Sequence, residues 1–537
     1  MGRYYPPQKY PMADIDRRSF VGAGTLGAFG LLRGGSPASG VNAPGTPKPT
    51  TPGIPDIRST AGTPDSPTDV TRILAAYVVH AKADDLPAAV RTEGCRTLLN
   101  WVGCTVGGST HETVDAAVHA LMPFSGPSKS TLLGRRERMD ALHAALINGI
   151  SSHVLDFDDT HLKTVIHPAG PVAPAILALA EVQPVSGRDF LHALVLGAEV
   201  ECRIGNAVYP AHYDRGWHIT GTTGVFGSAA ACGRLLGLSE QQMRWAFGLA
   251  AVQPVGLREM FGTMTKSFHP GRAAQNGLTA ALLAQQNVTS GDTAIEGANG
   301  WAHVLSTSCD YAQITEGLGE HYEIQLNTYK PFACGVVLHP SIDACLQLRA
   351  AHHLTPDAIE RIDLRVHPLV LELTGKRTPQ TGLEGKFSVY FAVAVAIAAG
   401  AAGVRQFTDD WVRRSEVIAL RDRVFATADP SVGEAQARAS ITLKDGRRVE
   451  TFVEHAVGSL ERPLSDRDLD AKVRDLCDGV LKPAQAERLI EVCRTIERQP
   501  DASVIASAAA NAGAAAANAG ADGPNAGAGG TVEGPAR

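Results

Sequence analysis

The residues best suited to chemistry lie in one short stretch, residues 148–174, which reads NGISSHVLDFDDTHLKTVIHPAGPVAP. The surrounding sequence is apolar and rich in alanine. Carboxylates and imidazoles are costly to bury in such surroundings unless they are paired or bind a ligand. We therefore interpret the stretch as a site. Its acidic, imidazole and hydroxyl candidates are Asp156, Asp158, Asp159, His153, His161, His167 and Thr160.

Four further groups of polar residues interrupt the apolar sequence, three of them at a predicted helix start. Backbone N–H groups at a helix start favour anions. The four groups contribute His218, then Lys266 with His269 and Arg272, then Lys330, and finally Lys386.

Together these residue types suit a substrate that carries several carboxylates. Lysine and arginine can hold carboxylates, while an imidazole can remove the weakly acidic proton next to a carboxyl group. Flanking cations would stabilise the enediolate-like charge that develops, and a second histidine or a tyrosine would protonate the departing hydroxyl. These groups of residues contain no nucleophile elbow, P-loop or dinucleotide-binding fingerprint.

Helical periodicity predicts the elements that position most of these residues. It dominates residues 68–319, and Leu142, Leu146 and Ile150 repeat on one face just before the aspartates. Ser239–Gln242 is a capping box that predicts a further helix start. The first half of the chain is therefore predicted to be helical.

The pattern changes after Leu326. Ile362–Val366 alternates as a strand, while Ser440–Leu443 and Val449–Val453 flank a Lys-Asp-Gly-Arg turn that is typical of a hairpin. Helical patterning returns at Asp466–Ile496. We predict a mainly α protein, in which a large all-helical domain carries an inserted smaller α+β lid domain. A ligand is expected in the cleft between them.

The predicted boundaries follow these changes of pattern. The helical domain comprises residues 68–326 and 459–500, and the lid comprises residues 327–458. Residues 1–66 combine a signal-like segment with a Pro/Thr/Gly-rich linker, and residues 503–537 form a low-complexity Ala/Gly/Asn tail. Both end segments are predicted to be disordered, because they cannot bury enough apolar surface to fold.

The N-terminal segment is similar to a twin-arginine export signal. Arg17 and Arg18 precede a weakly hydrophobic stretch, and Ser36–Ala38 and Val41–Ala43 offer small-x-small cleavage sites. Export to the periplasm is therefore one expectation, and a disordered extension of a cytoplasmic protein is the alternative. The apolar runs are shorter than the roughly 20 residues that a membrane span needs, so no stable span is expected.

Composition narrows the class of partner. The net charge is −6, and basic segments are short and flanked by acids. Nucleic-acid binders carry basic patches, so nucleic acid is not an expected partner.

Hydrophobic residues make up 44% of the chain, which is ample for a sizeable core.

Five motifs together resemble the MmgE/PrpD family. They are NGISSHVLDFDDTH with HPAGPVAPAILALAE, GWHITGTTGVFGSAAACGRLLGLS, MTKSFHPGRAAQNGLTAALLA, NTYKPFACGVVLHPSIDA and EGKFSVYFAVAVA. They occur in matching order, and the resemblance extends over about residues 68–498. The family includes 2-methylcitrate dehydratase, cis-aconitate decarboxylase and iminodisuccinate epimerase.

The resemblance implies a homodimeric lyase with a helical domain and an α+β lid, and with no metal and no organic cofactor. It implies a small-molecule polycarboxylate as the substrate. The catalytic residues are then expected to be His167, His218, Lys266 and Asp156. Thr160, His269 and Lys330 are expected to bind the substrate, and the nearby cation Arg272 is added to this group.

Two positions separate this chain from one branch of the family. Cis-aconitate decarboxylases are expected to have a histidine near the position of Cys334 and a tyrosine near that of Phe391. The FACG sequence here resembles the dehydratases instead. We therefore predict a hydro-lyase that acts on a 2-methylcitrate-like hydroxy polycarboxylate, with a decarboxylase or an epimerase using the same pocket as the alternative.

Two other classes of protein remain open. The DFDDT motif could be the divalent-metal cluster of a metal-dependent helical lyase. An exported binding protein could instead have kept the pocket for a polycarboxylate and lost turnover. A chelator that abolishes activity would favour the first, and ligand binding without product would favour the second.

Overall fold

The computed structural model describes residues 69–511. The signal-like segment and linker predicted within residues 1–66, and residues 512–537 of the predicted tail, lie outside the described residues. Residues 69–511 are mainly α-helical with only small sheets, as the sequence predicts. Every helix between residues 69 and 511 is too short or too polar to span a bilayer.

The first group of helices spans residues 70–315. The helices are α1 (Val70–His80), α2 (Ala88–Gly108), α3 (Glu112–Leu121), α4 (Ala141–His153), α5 (Ala169–Ala180), α6 (Gly187–Val208), α7 (Ala211–Asp214), α8 (Ile219–Leu235), α9 (Glu240–Ala251), α10 (Thr265–Gln285), α11 (Trp301–Leu305) and α12 (Ala312–Thr315). The predicted capping box at the start of α9 is confirmed, because the Ser239 hydroxyl accepts from the Gln242 N–H and the Gln242 side chain returns to Ser239.

Two glycine pairs let α4 approach α10 closely and let α6 approach α8 closely. A Cβ atom on Gly149 of α4 would lie 2.4 Å from the Cα of Gly271 on α10. A Cβ atom on Gly227 of α8 would lie 2.8 Å from the carbonyl oxygen of Gly197 on α6. Neither distance leaves room for a side chain, so these helices pack backbone against backbone.

Two short strand pairs connect distant parts of the chain. β1 (Ser130–Thr131) pairs with β2 (Arg138–Met139), and β3 (Asp159–His161) pairs with β4 (Asn327–Tyr329), both antiparallel.

Residues 339–453 form a four-stranded sheet with its own helices. The sheet order is β6-β5-β7-β8, with β5 and β6 parallel and the other neighbours antiparallel. The strands are β5 (Ile359–Val366), β6 (Val424–Ala428), β7 (Ala437–Leu443) and β8 (Arg448–Val453). The helices are α13 (His339–His352), α14 (Pro368–Thr374), α15 (Gly382–Gly385), α16 (Val389–Ala399), α17 (Asp409–Arg413) and α18 (Ser415–Arg421).

This region confirms the predicted strand within residues 359–366 and the predicted hairpin of β7 and β8. Gly446 has a φ of 86° in the connecting turn, a conformation that glycine adopts without strain. All four strands lie within residues 327–458, the range predicted for the lid. That this range behaves as a separate lid domain stays a prediction.

The C-terminal helices pack against the first group of helices. α19 (Asp466–Cys477) and α20 (Pro483–Arg494) pack against α2, and α21 (Val504–Ala509) packs against α20. The predicted disordered tail is therefore wrong at its start, because Ile505, Ala506 and Ala509 are buried in the same core as α2 and α5. Small alanine side chains gain enough from docking on an existing core, although they could not form a core of their own.

Candidate active site

The β3–β4 pair brings together the two segments that carry the key charges. Asp159 pairs with Tyr329 and Thr160 with Thr328, although the latter two residues lie 168 positions apart in the chain. Asp156 lies just before β3 and Lys330 just after β4. The strand register therefore places the Lys330 ammonium beside the Asp156 carboxylate.

The N-terminal ends of three helices contribute side chains to one cavity. His167 precedes α5, His218 is the N-cap of α8, and Lys266 lies in the first turn of α10. All three side chains line one cavity. Because the N-terminal end of a helix carries a partial positive charge, this arrangement favours an anionic ligand.

The cavity combines polar groups with an apolar wall, and its accessible volume of about 50 Å³ suits a small molecule rather than a polymer. Six of the eight predicted site residues line it: Asp156, Thr160, His167, His218, Lys266 and Lys330. The rest of the wall consists of Val165, Tyr213, Phe261, Gly335, Val336, Val337, Leu373, Thr374 and Phe387.

Asp156 is the centre of the charged group. Its Oδ1 accepts from the Nζ of Lys330 at 2.6 Å and from the Nζ of Lys266 at 3.1 Å. Burial alone would raise the pKa of this carboxyl, but the two ammonium groups hold its pKa well below the ordinary range. One carboxylate is thus shared by two cations, which leaves one positive charge of this trio for a ligand.

The backbone at Asp156 is held in an unfavourable conformation by buried lysines. Its φ of 50° lies in the left-handed region, which costs energy for a residue with a side chain. Three consecutive carbonyl groups here each accept from a different ammonium. Leu155 O accepts from Lys386 (2.6 Å), Asp156 O from Lys330 (3.3 Å) and Phe157 O from Lys472 (2.6 Å).

Replacing Lys472 by methionine should therefore lower the free energy of unfolding by about 2 kcal/mol or more. Its Nζ also donates to Lys330 O at 2.9 Å, so two buried carbonyl groups would lose a donor. Urea titration of the variant measures the loss. The matched control is Lys444→Met at an exposed position, which should match the wild type. Equal stability of the two variants would contradict the positioning role.

His167 is oriented so that one ring nitrogen is left free. Its Nδ1 lies 2.7 Å from the carbonyl oxygen of Asp159, which can only accept, so Nδ1 carries the proton. The Nε2 atom is then the basic nitrogen of a ring that lines the cavity. Asp158 lies 3.7 Å from the same Nδ1 and binds the Nδ1 of buried His153 at 2.6 Å, so one carboxylate faces both imidazoles.

His218 forms a second imidazole pair. Its Nδ1 lies 2.9 Å from the Nδ1 of His269, so one of these nitrogens donates and the other accepts. Burial, followed by the neighbouring His269 and Lys266, holds the pKa of His218 well below its usual value. The Phe261 ring packs edge-on against His218 and shields it. The pair can therefore pass a proton between the cavity and the interior.

Two residues that are predicted to bind the substrate do not line the cavity. His269 lies behind His218 and does not line the cavity. Arg272 lies on the exposed face of α10, where its guanidinium bonds to Gln275. The reason is the helical repeat of 3.6 residues per turn. Residues 266 and 269 are three positions apart and lie on the same face of α10, whereas residue 272 lies on a different face from residue 266.

Sequence reasoning missed several residues around the cavity. The motif gives no indication of a role for His153, although the centroid of its ring lies 4.8 Å from that of the His167 ring. Phe261 and Phe387 flank the Lys266 ammonium at 5.5 and 5.4 Å from their centroids. No motif signals aromatic residues of this kind, since they are ordinary core residues in the sequence.

Among residues 69–511, one cluster has the composition of a metal site. Ligand atoms of His153, His167 and His218 all lie within 4.8 Å of one another. The DFDDT carboxylates are less suited to a divalent ion, because they already have partners. Asp156 binds two lysines, Asp158 binds His153, and Asp159 accepts from Asn327 and the Ala169 N–H.

Comparison with known proteins identifies the family of this chain. The MmgE/PrpD N-terminal domain matches residues 72–314, and the MmgE/PrpD C-terminal domain matches residues 332–498. Human cis-aconitate decarboxylase is 28% identical over 460 residues, which cover 81% of this chain and 93% of that protein. Cis-aconitate decarboxylase of Aspergillus terreus is 25% identical over 466 residues, 81% of this chain and 94% of that protein. The chain belongs to the MmgE/PrpD family.

Proposed function

We propose that the protein is a lyase that eliminates water from a small hydroxy polycarboxylate. The observation that carries the proposal is the orientation of His167, whose free Nε2 belongs to the same cavity wall as two buried ammonium groups. A base beside cations is the arrangement needed to remove a proton next to a carboxylate.

In the proposed reaction, Lys266 and Lys330 bind carboxylates of the substrate. His167 Nε2 takes the proton from the carbon next to a carboxylate, and the electron pair of that C–H bond forms the new double bond. The C–O bond at the neighbouring carbon breaks, and His218 protonates the departing hydroxide to give water. His269 passes its proton to His218 across their 2.9 Å contact and takes a proton from solvent, while His167 releases its proton to solvent, so that all three imidazoles are again neutral.

The pH dependence of kcat/KM should reflect the low pKa of His167. Burial, together with the nearby Lys330, His153 and Lys266, lowers this pKa to about 3, although the Asp158 carboxylate opposes them. A base with a lowered pKa stays unprotonated in more acidic solution. We expect kcat/KM, corrected for ionisation of the substrate, to stay level from about pH 8 to about pH 5. A loss centred near 6.5 would show that the base has an ordinary imidazole pKa.

Decarboxylation is the second candidate, because the relatives named above are cis-aconitate decarboxylases. The same cations could stabilise the negative charge left when carbon dioxide departs, and a protonated imidazole would then supply a proton to the carbon. Two features favour dehydration over it. Cys334 is buried and does not line the cavity, and Phe391 packs against Phe407 in the core, so neither position contributes an acid group to the cavity.

A substrate panel followed by NMR distinguishes these reactions. 2-Methylcitrate, citrate and cis-aconitate are incubated with the protein, and the products are identified directly. An alkene formed from a hydroxy acid supports the proposal. Release of carbon dioxide from cis-aconitate, with no dehydration of either hydroxy acid, supports the second candidate. Binding without any product would favour a non-catalytic polycarboxylate-binding protein.

A further inference from the structure

A second cavity adjoins the one that holds the predicted catalytic residues. Val165, Val336 and Val337 line both cavities, so these three side chains form the wall between them. The second cavity is the larger, with an accessible volume of about 130 Å³ against about 50 Å³. Its remaining wall consists of Leu162, His339, Pro340, Glu434, Ala435, Ala456, Val457, Gly458 and Ser459.

The chemistry of the second cavity differs from that of the first. No lysine or arginine lines it, and most of its wall is aliphatic. Its one acidic residue, Glu434, is exposed and would repel a further carboxylate. Such a cavity suits a neutral apolar group, because burying methylene groups there is favourable while burying a charge without a partner is costly.

The wall itself contains an unusual residue. Val165 has a φ of 55°, which is a strained conformation for a β-branched side chain. The loop that carries it is closed by the His161 N–H, which donates to the Ile166 carbonyl at 2.8 Å. This hydrogen bond holds Val165 between the two cavities despite the strain, so the conformation of the loop fixes the position of the wall.

We propose that the second cavity is a subsite for an alkyl substituent on the polycarboxylate substrate. This inference rests on the proposed function, which places the carboxylates in the first cavity. A short substituent such as methyl stays on the near side of the valine wall. A longer chain passes between the valines and is buried among Leu162, Pro340 and Val457.

Calorimetric titration of the full chain with methyl-, butyl- and hexylsuccinate tests the subsite without requiring turnover. These diacids keep two carboxylates and have no leaving group. Affinity should rise up to about fourfold for each added methylene that is buried. The measured quantity is the ratio of hexyl- to methylsuccinate affinity.

Two variants should change this ratio in opposite directions. Val457→Phe fills the far cavity and should lower the ratio at least about tenfold. Val165→Gly removes part of the wall and relieves the positive φ, so it should raise the ratio. Val304→Phe, at an exposed position away from both cavities, is the matched control and should keep the wild-type ratio.

The outcomes separate this inference from the proposed function. Binding of methylsuccinate with no gain for longer chains overturns the subsite alone. A Val457→Phe variant that weakens all three diacids equally also overturns it, because the cavity would then be an entrance. If none of the diacids binds, both the carboxylate site and the subsite are overturned.

Discussion

Replacing His167 by glutamine is expected to lower turnover at least about 100-fold while the protein remains folded. Glutamine can still donate a hydrogen bond to the Asp159 carbonyl, but it has no basic nitrogen to take a proton. Steady-state kinetics on the best substrate of the panel measures the effect. Thermal unfolding of the same sample shows whether the fold is intact.

The matched control for this variant is His192→Gln. His192 is also buried and also has a pKa lowered by burial, to about 4, but it lies on α6 and does not line the cavity. Its turnover should equal that of the wild type. If His167→Gln lowers only the melting temperature, then His167 has a structural role and the proposed base is wrong.

Replacing Lys266 by methionine should raise KM and lower kcat together. Methionine keeps the apolar stem between the Phe261 and Phe387 rings but removes the ammonium. A charge-assisted hydrogen bond contributes roughly 1.5–3 kcal/mol, so kcat/KM should fall about 10- to 100-fold. Both constants change because the ammonium binds the carboxylate in the ground state and also stabilises charge in the transition state.

Arg272→Met is the control for the loss of a cation from the same helix. The exposed guanidinium lies outside the cavity wall, so its removal should leave KM within about twofold of the wild-type value. An increase in KM for Arg272→Met as large as that for Lys266→Met would contradict the assignment of substrate binding to this cavity.

Local signals in the sequence predicted local structure well. The Ser239 capping box and the hairpin around Gly446 depend on a few neighbouring residues, and both are present. The helical assignment of the first half follows from a repeating apolar face, which needs no knowledge of tertiary contacts. The start of the disordered tail was misplaced, because the docking of α21 depends on a core assembled from distant helices.

In the candidate site, contacts between residues that are distant in the chain could not be predicted from the sequence. Asp156, Lys266 and Lys330 could be named from motifs, but their sharing of one carboxylate oxygen depends on the β3–β4 register. Lys472 was missed, because it lies 315 residues from the carbonyl group that it holds and has no motif around it. Arg272 is close to His269 in the chain, but its position on helix α10 turns its side chain toward solvent.

A crystal structure of the protein with citrate bound would show whether Lys266, Lys330 and His167 form the substrate site. We expect carboxylate oxygens within hydrogen-bond distance of the Lys266 and Lys330 ammonium groups, and a substrate carbon facing His167 Nε2. Citrate bound away from these three residues, with the cavity filled only by water, would contradict it.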